Sequence, residues 1–351
     1  MKVLYFGSYN PEYSRNRVLI NGLRQNGIEV IECRDNSQGL KKLFKLAGKH
    51  WKLRNEYDVM VVGFPGHELM FLARLLTRKP IIFDAFTSHY GGYVLDRKLV
   101  SLSSARALYY RFLDHWSCRL ADLVLLDTQA HINFFVREFG LPQKKFQRIF
   151  VGTDEKVFSP KLKPAGLSQF IVHFHGNFIP LQGIECIVKA ASLLKDDNIH
   201  FNIIGRGQTY GDVRKIAQEL KIKNVLFIDP VPYEKLSDFM AMADICLGIF
   251  GSTPKTLLVI PNKVFEALAM AKPVITADTP AIRELLTDKE NCVLVPAANP
   301  QALAEAIRNL KNSEDKSERI GKNGYELLQS KLTTGQIGLE LKRLLESFHA
   351  K

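Results

Sequence analysis

Most of the marks that first narrow a protein's compartment or chemistry are missing from this chain. No run of about 18 apolar residues occurs in its 351 residues, so no segment is built to cross a bilayer as a helix. The five cysteines, Cys33, Cys118, Cys186, Cys246 and Cys292, are odd in number, scattered and never spaced Cys-x-x-Cys. That argues against a disulfide framework or a zinc cluster and for reduced core thiols, with a cytoplasmic location expected. Asp-x-Asp is absent, and no metal is expected. Gly-x-Gly-x-x-Gly is absent too: Gly205-Arg206-Gly207 would need a glycine at Tyr210, which disfavours a nicotinamide dehydrogenase, and no cofactor is expected. The opening Met1-Lys2-Val3-Leu4-Tyr5-Phe6-Gly7 ends too soon for a signal peptide and reads as a first strand.

What the chain does have is positive charge, unevenly placed. Of the net +12, residues 1–160 supply +9, from 24 Lys/Arg against 15 Asp/Glu. An anionic partner for this half is implied, either nucleic acid or an acidic membrane surface. Lys41–Arg54 holds six basic residues and no acid, with Leu40, Leu43, Phe44, Ala47 and Trp51 on one helical face and Lys41, Lys45, Lys49 and Lys52 largely opposite. Arg97–Arg119 repeats the theme with Leu108, Phe112 and Trp116. A surface helix packing its apolar side on a sheet accounts for the apolar face; it does not account for the missing acids. An anionic membrane surface is therefore the expected partner, with a peripheral position on its inner face, and nucleic acid is not expected.

Short β-branched runs alternate with segments of helical period along the whole chain. The runs are Val3–Phe6, Val30–Ile31, Val59–Val62, Ile81–Phe83, Leu123–Leu126 and Arg148–Val151, then Phe170–Phe174, Phe201–Ile204, Val225–Ile228, Ile245–Leu247, Val274–Ile275 and Val293–Val295. This pattern predicts α/β architecture: two Rossmann-like, doubly wound parallel-sheet domains, 1–164 and 165–335, with ligands in a cleft at the carboxyl ends of the strands.

The most informative stretch runs from Ile260 to Thr276. It reads as a helix between a Pro261-Asn262 start and a Lys272-Pro273 stop, followed by a buried strand. A helix N-terminus receives phosphate readily, and Lys263 adds charge there. Glu266 shares a face with Asn262 one turn on, where a carboxylate accepts hydrogen bonds from a diol. A phosphate followed by a diol is the shape of a nucleoside diphosphate. A capped amphipathic helix with an ion pair at spacing three is the competing reading.

Glu266-Ala267-Leu268-Ala269-Met270-Ala271-Lys272-Pro273-Val274 resembles the donor-site helix of family 4 retaining glycosyltransferases. Three further stretches resemble that family in order: Gly152-Thr153-Asp154 with Phe158 and Pro160; Val231-Pro232-Tyr233-Glu234-Lys235-Leu236 with Ala243-Asp244; and Glu284-Leu285-Leu286 through Asn291, Leu294-Val295-Pro296 and Pro300. The resemblance covers residues 150–310 and is loose before them. It implies the GT-B fold, with a C-terminal helix, 336–351, crossing back to the N-terminal domain. It also implies Gly176, Asn177, Arg206, Asn262, Lys263 and Glu266 as donor-binding residues. The sequence departs from the family at Asn177 and Gln182, where the family carries the Arg and Lys that grip the diphosphate. It departs again at Leu258, where the family carries a second acid. His173 and His175 share a strand face, as a metal pair or as buried residues.

In the N-terminal half, Asn10 and Arg15 lie in the loop and helix start after the first strand and are the candidates for an acceptor or phosphate contact. Asp84 and His89 are the candidates for the catalytic position where the family places a histidine, although strict spacing lands on Phe86. A turn cap and a solvated helix start are the plain alternatives. The expected activity is a metal-independent retaining glycosyltransferase, taking a nucleotide-diphosphate sugar and a hydroxyl acceptor, the acceptor a glycan or lipid-linked glycan. A non-catalytic relative that binds nucleotide sugars, or an epimerase of the same fold, stays open.

Overall fold

In the computed structural model, which describes residues 1–349, every apolar run pairs in parallel with its sheet neighbours. The N-terminal elements are β1 (Lys2–Gly7), α1 (Ser14–Gln25), β2 (Glu29–Arg34), α2 (Leu40–Leu53), β3 (Val59–Val62), α3 (Leu69–Leu76) and β4 (Ile81–Phe86). A π-helix at Tyr90–Asp96, α4 (Ala105–Leu120), β5 (Leu123–Leu126), α5 (Gln129–Phe139) and β6 (Phe146–Arg148) complete the series. Their sheet runs β2-β1-β3-β4-β5-β6. β3 and β5 are buried along their whole length, as parallel strands covered by helices on both faces must be.

The C-terminal series is β7 (Phe170–His175), α6 (Ile184–Leu193), β8 (Ile199–Ile204), α7 (Tyr210–Glu219), β9 (Val225–Ile228), α8 (Tyr233–Met242) and β10 (Ile245–Leu247). It continues with α9 (Asn262–Ala269), β11 (Val274–Ala277), β12 (Val293–Val295), α10 (Pro300–Lys311) and α11 (Glu314–Lys331), and the last helix is α12 (Thr334–His349). The second sheet runs β12-β11-β10-β7-β8-β9, again all parallel. Phe174, Phe178, Ile187, Phe201, Ile203 and Ile307 are among the buried residues of its core.

The chain divides into residues 1–152 with the segment from Leu332 onward, and residues 153–331. The first division therefore falls before Thr153 rather than at 164–165. Residues 158–163 are tied to the second unit: Phe158 packs edge-on against Tyr233, Lys161 pairs with Asp238, and Lys163 pairs with Asp244. α12 packs on α1, and residues 350–351 of the expected terminal helix lie outside the described residues. The crossing is made by two glycines. A Cβ on Gly22 would lie 2.7 Å from Cα of Gly338, and one on Gly338 would lie 2.0 Å from the Gly22 carbonyl carbon. No other residue type fits there.

α2 is turned differently from its sequence pattern. Leu46 and His50 are its buried residues, and the His50 imidazole lies 2.8 Å from the Tyr57 hydroxyl. Leu40, Phe44 and Trp51, expected to pack on the sheet, are 71%, 77% and 66% exposed beside the exposed Lys41, Lys45 and Lys52. The sheet needs only a narrow stripe of this helix, and Leu43, Leu46 and His50 at spacings of three and four fill it. α3 lies between α2 and α4, and it exposes Phe71 and Leu75. α4 exposes Leu108, Phe112 and Trp116, with Phe71 and Phe112 stacked at 6.3 Å.

Candidate functional site

In an open parallel sheet, ligands bind where the strand order reverses, outside the carboxyl ends of the two strands at that point. In the C-terminal unit those strands are β7 and β10. β7 ends on His175 and is followed by Gly176, whose φ of +148° favours glycine. The turn also brings the Lys263 ammonium close, with Nζ 2.8 Å from where a Cβ would sit. The loop after β8 supports this turn from one side. A Cβ on Gly205 would meet the Gly176 carbonyl oxygen at 2.0 Å, and the Phe178 N–H donates to the Arg206 carbonyl at 2.9 Å. The Gly-Arg-Gly of the sequence is thus required by the close approach of two loops.

α9 follows β10 across the connection 248–261, and no side chain caps its N-terminus. Asn262 is half-buried at its first position. Lys263 is 6% exposed: its ammonium lies 3.9 Å from the Phe174 ring centroid and donates to Oε1 of the buried Gln182. Burial pushes this lysine down to about 7, only partly opposed by the Glu266 carboxylate. Glu266, one turn deeper, is 3% exposed and accepts from His175 Nε2 at 2.8 Å. Asn177 is exposed on the loop. Arg206 sits on the rim, where it pairs with Asp229 at 2.5 Å and stacks over Tyr210. The structure therefore gathers Gly176, Lys263 and Glu266, adds Gln182 and His175 to them, and leaves Arg206 engaged elsewhere. His175 was visible in the sequence only as one of two histidines on a strand face.

In the N-terminal unit the reversal lies between β1 and β3. Asn10, exposed in the loop after β1, accepts the Glu12 N–H at 3.0 Å. Arg15 and Asp84, expected as a phosphate contact and a catalytic residue, are instead both 0% exposed and bonded to each other at 2.8 Å. The remaining Arg15 donors go to the carbonyls of Ile149 and Phe150, so the guanidinium is consumed inside the fold. Taking those carbonyls also ends β6 at Arg148, short of the expected Val151.

His89 is half-buried at the start of the π-helix, its ring 4.1 Å from that of His67 and tilted against it. The Asp114 carboxylate fixes this turn by accepting from the N–H groups of His89 and Tyr90 and from the Ser88 hydroxyl. Ser8, Lys42, His67, Glu68, His89 and Tyr93 line a pocket of about 210 Å³. Burial, with His89 alongside, holds the His67 imidazole well below its ordinary range. Sequence reading missed His67 and Asp114. His67 stands in Phe64-Pro65-Gly66-His67, directly past β3, and that position at the sheet's reversal was the available signal.

Residues 158–327 match the family described as glycosyl transferases group 1. That match spans just under half of the chain and lies within its C-terminal unit, which carries a group 1 glycosyltransferase domain. The chain is 24% identical over 277 residues to D-inositol 3-phosphate glycosyltransferase of Corynebacterium glutamicum, a match covering 73% of this chain and 64% of that protein. It is 24% identical over 310 residues to O-antigen chain mannosyltransferase C of Escherichia coli, covering 84% of this chain and 78% of that one. Among solved structures it resembles Anabaena HepE in complex with UDP and glucose, with TM-score 0.75 and 16% identity over 99% of this chain and 100% of that chain. Sucrose-phosphate synthase from Thermosynechococcus elongatus gives TM-score 0.76 at 17% identity, covering 100% of this chain and 99% of that one. At these identities the structural likeness establishes the GT-B fold.

Lys263 ties stability to pH. The folded chain releases this proton near 7, whereas an unfolded lysine keeps it to about its ordinary 10.5, so between those values the unfolded state holds the extra proton. Stability therefore rises with pH through that window, and below about 7 the full cost of burying the cation is present. Lys263→Met should remove a slope of up to about 1.4 kcal/mol per pH unit. Urea melts of both proteins at several pH values across the window measure the difference; parallel curves would contradict the shift.

Proposed function

We propose that this glycosyltransferase moves a sugar from a nucleoside-diphosphate donor to a hydroxyl of a glycan or lipid-linked glycan, with retention at the anomeric carbon. One observation carries the donor half: a lysine sealed beneath the Gly176 turn at the sheet's reversal, with a buried carboxylate one helical turn deeper. The amides at the start of α9, Asn262 and Lys263 take the diphosphate, with Gly176 and Asn177 closing over it. Glu266 takes the ribose hydroxyls. Lys263 and the helix dipole stand in for the cations that family 4 enzymes carry at positions 177 and 182. Solved HepE structures with UDP and with UDP-glucose favour this class of donor.

The N-terminal unit takes the acceptor, with His89 and Asn10 at the end of its sheet. The bond from the anomeric carbon to the diphosphate oxygen breaks, and the acceptor oxygen bonds to that carbon on the same face. The acceptor proton passes to the departing diphosphate, so no protein nucleophile is needed. Charge on the leaving group is balanced by Lys263 and the helix dipole without a divalent ion.

The exposed Leu40, Phe44 and Trp51, alternating with Lys41, Lys45 and Lys52 and continued by the aromatic faces of α3 and α4, form a surface suited to anionic lipid headgroups. Apolar rings enter the interface and ammonium groups meet phosphate. This supports a peripheral, membrane-associated enzyme working on a lipid-linked acceptor.

Titration with UDP and GDP by calorimetry tests the donor site. Glu266→Ala should weaken nucleoside diphosphate binding by about 1.5–3 kcal/mol, the range for a hydrogen bond to a charged group. Lys263→Ala should cost more for the diphosphate than for the bare nucleoside; equal losses would make Lys263 a structural cation only. Turnover of a donor panel should survive EDTA, and a loss restored by magnesium or manganese would overturn the metal-free reaction.

The lipid surface has its own test. Replacing Lys41, Lys45 and Lys52 by Gln removes roughly 1 kcal/mol each, so co-sedimentation with anionic vesicles should fall on the order of 100-fold. Lys49 is spared because it pairs with Asp35. Binding to neutral vesicles should hardly change. Equal sedimentation of wild type and variant would show the charge to be a solubility feature.

A further inference from the structure

His173 and His175 carry an arrangement that packing alone does not require. They point to one face of β7, at 1% and 8% exposure, with His173 Nε2 3.0 Å from His175 Nδ1 and His175 Nε2 2.8 Å from Glu266 Oε2. The direction of this row follows from its two ends. A carboxylate only accepts, so His175 Nε2 carries a proton and donates to Glu266. At the other end His173 Nδ1 is buried with no hydrogen-bond partner, so the His173 proton sits at Nε2. His173 Nε2 then donates to the lone pair on His175 Nδ1. A proton on His173 Nδ1 would create an orphan donor inside the core, next to the Lys263 ammonium. The row therefore has one direction, running from the interior toward Glu266.

We infer that His175 is a positioning residue for Glu266, and that His173 holds His175 in the tautomer that allows it. This rests on the reading of Glu266 as the ribose ligand. With Oε2 held by His175, the carboxylate is locked in one rotamer, and Oε1 is the atom that meets the nucleotide's diol. A carboxylate so fixed discriminates by hydroxyl geometry, because a nucleotide lacking the diol leaves it buried without its second set of partners. The specificity conferred is for the ribose of the donor, whatever its base or sugar.

The test compares UDP and GDP with their 2′,3′-dideoxy counterparts on the full chain, using calorimetry. Wild type should prefer the ribose forms. His175→Phe should cost the ribose forms about tenfold and leave the dideoxy forms unchanged. His173→Phe should cost less than His175→Phe, and His175→Gln, which keeps an N–H donor, should recover part of the preference. Glu266→Ala should abolish the preference, and adding His175→Phe to it should cost nothing more. If Glu266→Ala abolishes the preference while His175→Phe and His175→Gln both keep it, the positioning role is overturned and the ribose reading stands. If Glu266→Ala leaves the preference intact, the ribose reading fails and the positioning role falls with it. Circular dichroism of each variant separates loss of fold from loss of preference, and His175→Gln carries the comparison if the Phe variant unfolds.

Discussion

The proposed donor site is organised around a cation that has been taken out of water. An ammonium ion under a glycine turn, against a phenyl ring, is held by a neutral amide, and its nearest carboxylate is a helical turn away. Such a group is costly to bury, and burial moves its proton equilibrium rather than being fully compensated. The Gly176 turn, at φ +148°, packs directly on the lysine, and Gly205 has no room for a Cβ because the turn leans on it. Gln182 is drawn inward from a 3-10 turn to meet the lysine. A phosphate placed at this point meets a charge already desolvated and already aimed, so the reorganisation that weakens surface electrostatics has been done in advance.

The N-terminal unit spends its charges differently. Arg15 and Asp84 neutralise each other at zero exposure, and the leftover guanidinium donors hold the two carbonyls beyond β6. Removing either partner would strand the other in the core, a loss of about 3–5 kcal/mol. Near the end of its sheet the imidazoles of His67 and His89 share a pocket with Lys42 and Glu68, and the Asp114 carboxylate fixes the turn of His89. Much of its positive charge lies on helix surfaces.

Strand positions were readable because a buried parallel strand must be apolar on both faces, as Val59–Val62 and Leu123–Leu126 are. α9 and its lysine and glutamate were readable because helix punctuation and spacing are local properties. The pairing of Arg15 with Asp84 was not: the two are 69 residues apart, and a guanidinium at a helix start looks the same in a sequence whether it faces a phosphate or a buried aspartate. The face of α2 was misjudged because periodicity counts apolar residues, whereas the sheet covers only the stripe it can reach. Phe44 and Trp51 remained outside it. The histidine row was half legible. Alternation along β7 put His173 and His175 on one side, but Glu266 reaches them from 91 residues away.

The Gly22–Gly338 crossing has a consequence for how the molecule is made. Residues 153–331 form a continuous unit lying inside the sequence of the other. On the ribosome, β1 to β6 and α1 emerge first, yet Val18, Leu19 and Leu23 of α1 are buried in a unit that Ile337, Leu341 and Leu345 complete. Translation proceeds at about 5–20 residues per second, so the first-made sheet waits through the synthesis of an entire second unit with one helix face uncovered. The part of the chain that is born first is finished last, and in that interval the apolar face of α1 is left without its partner helix.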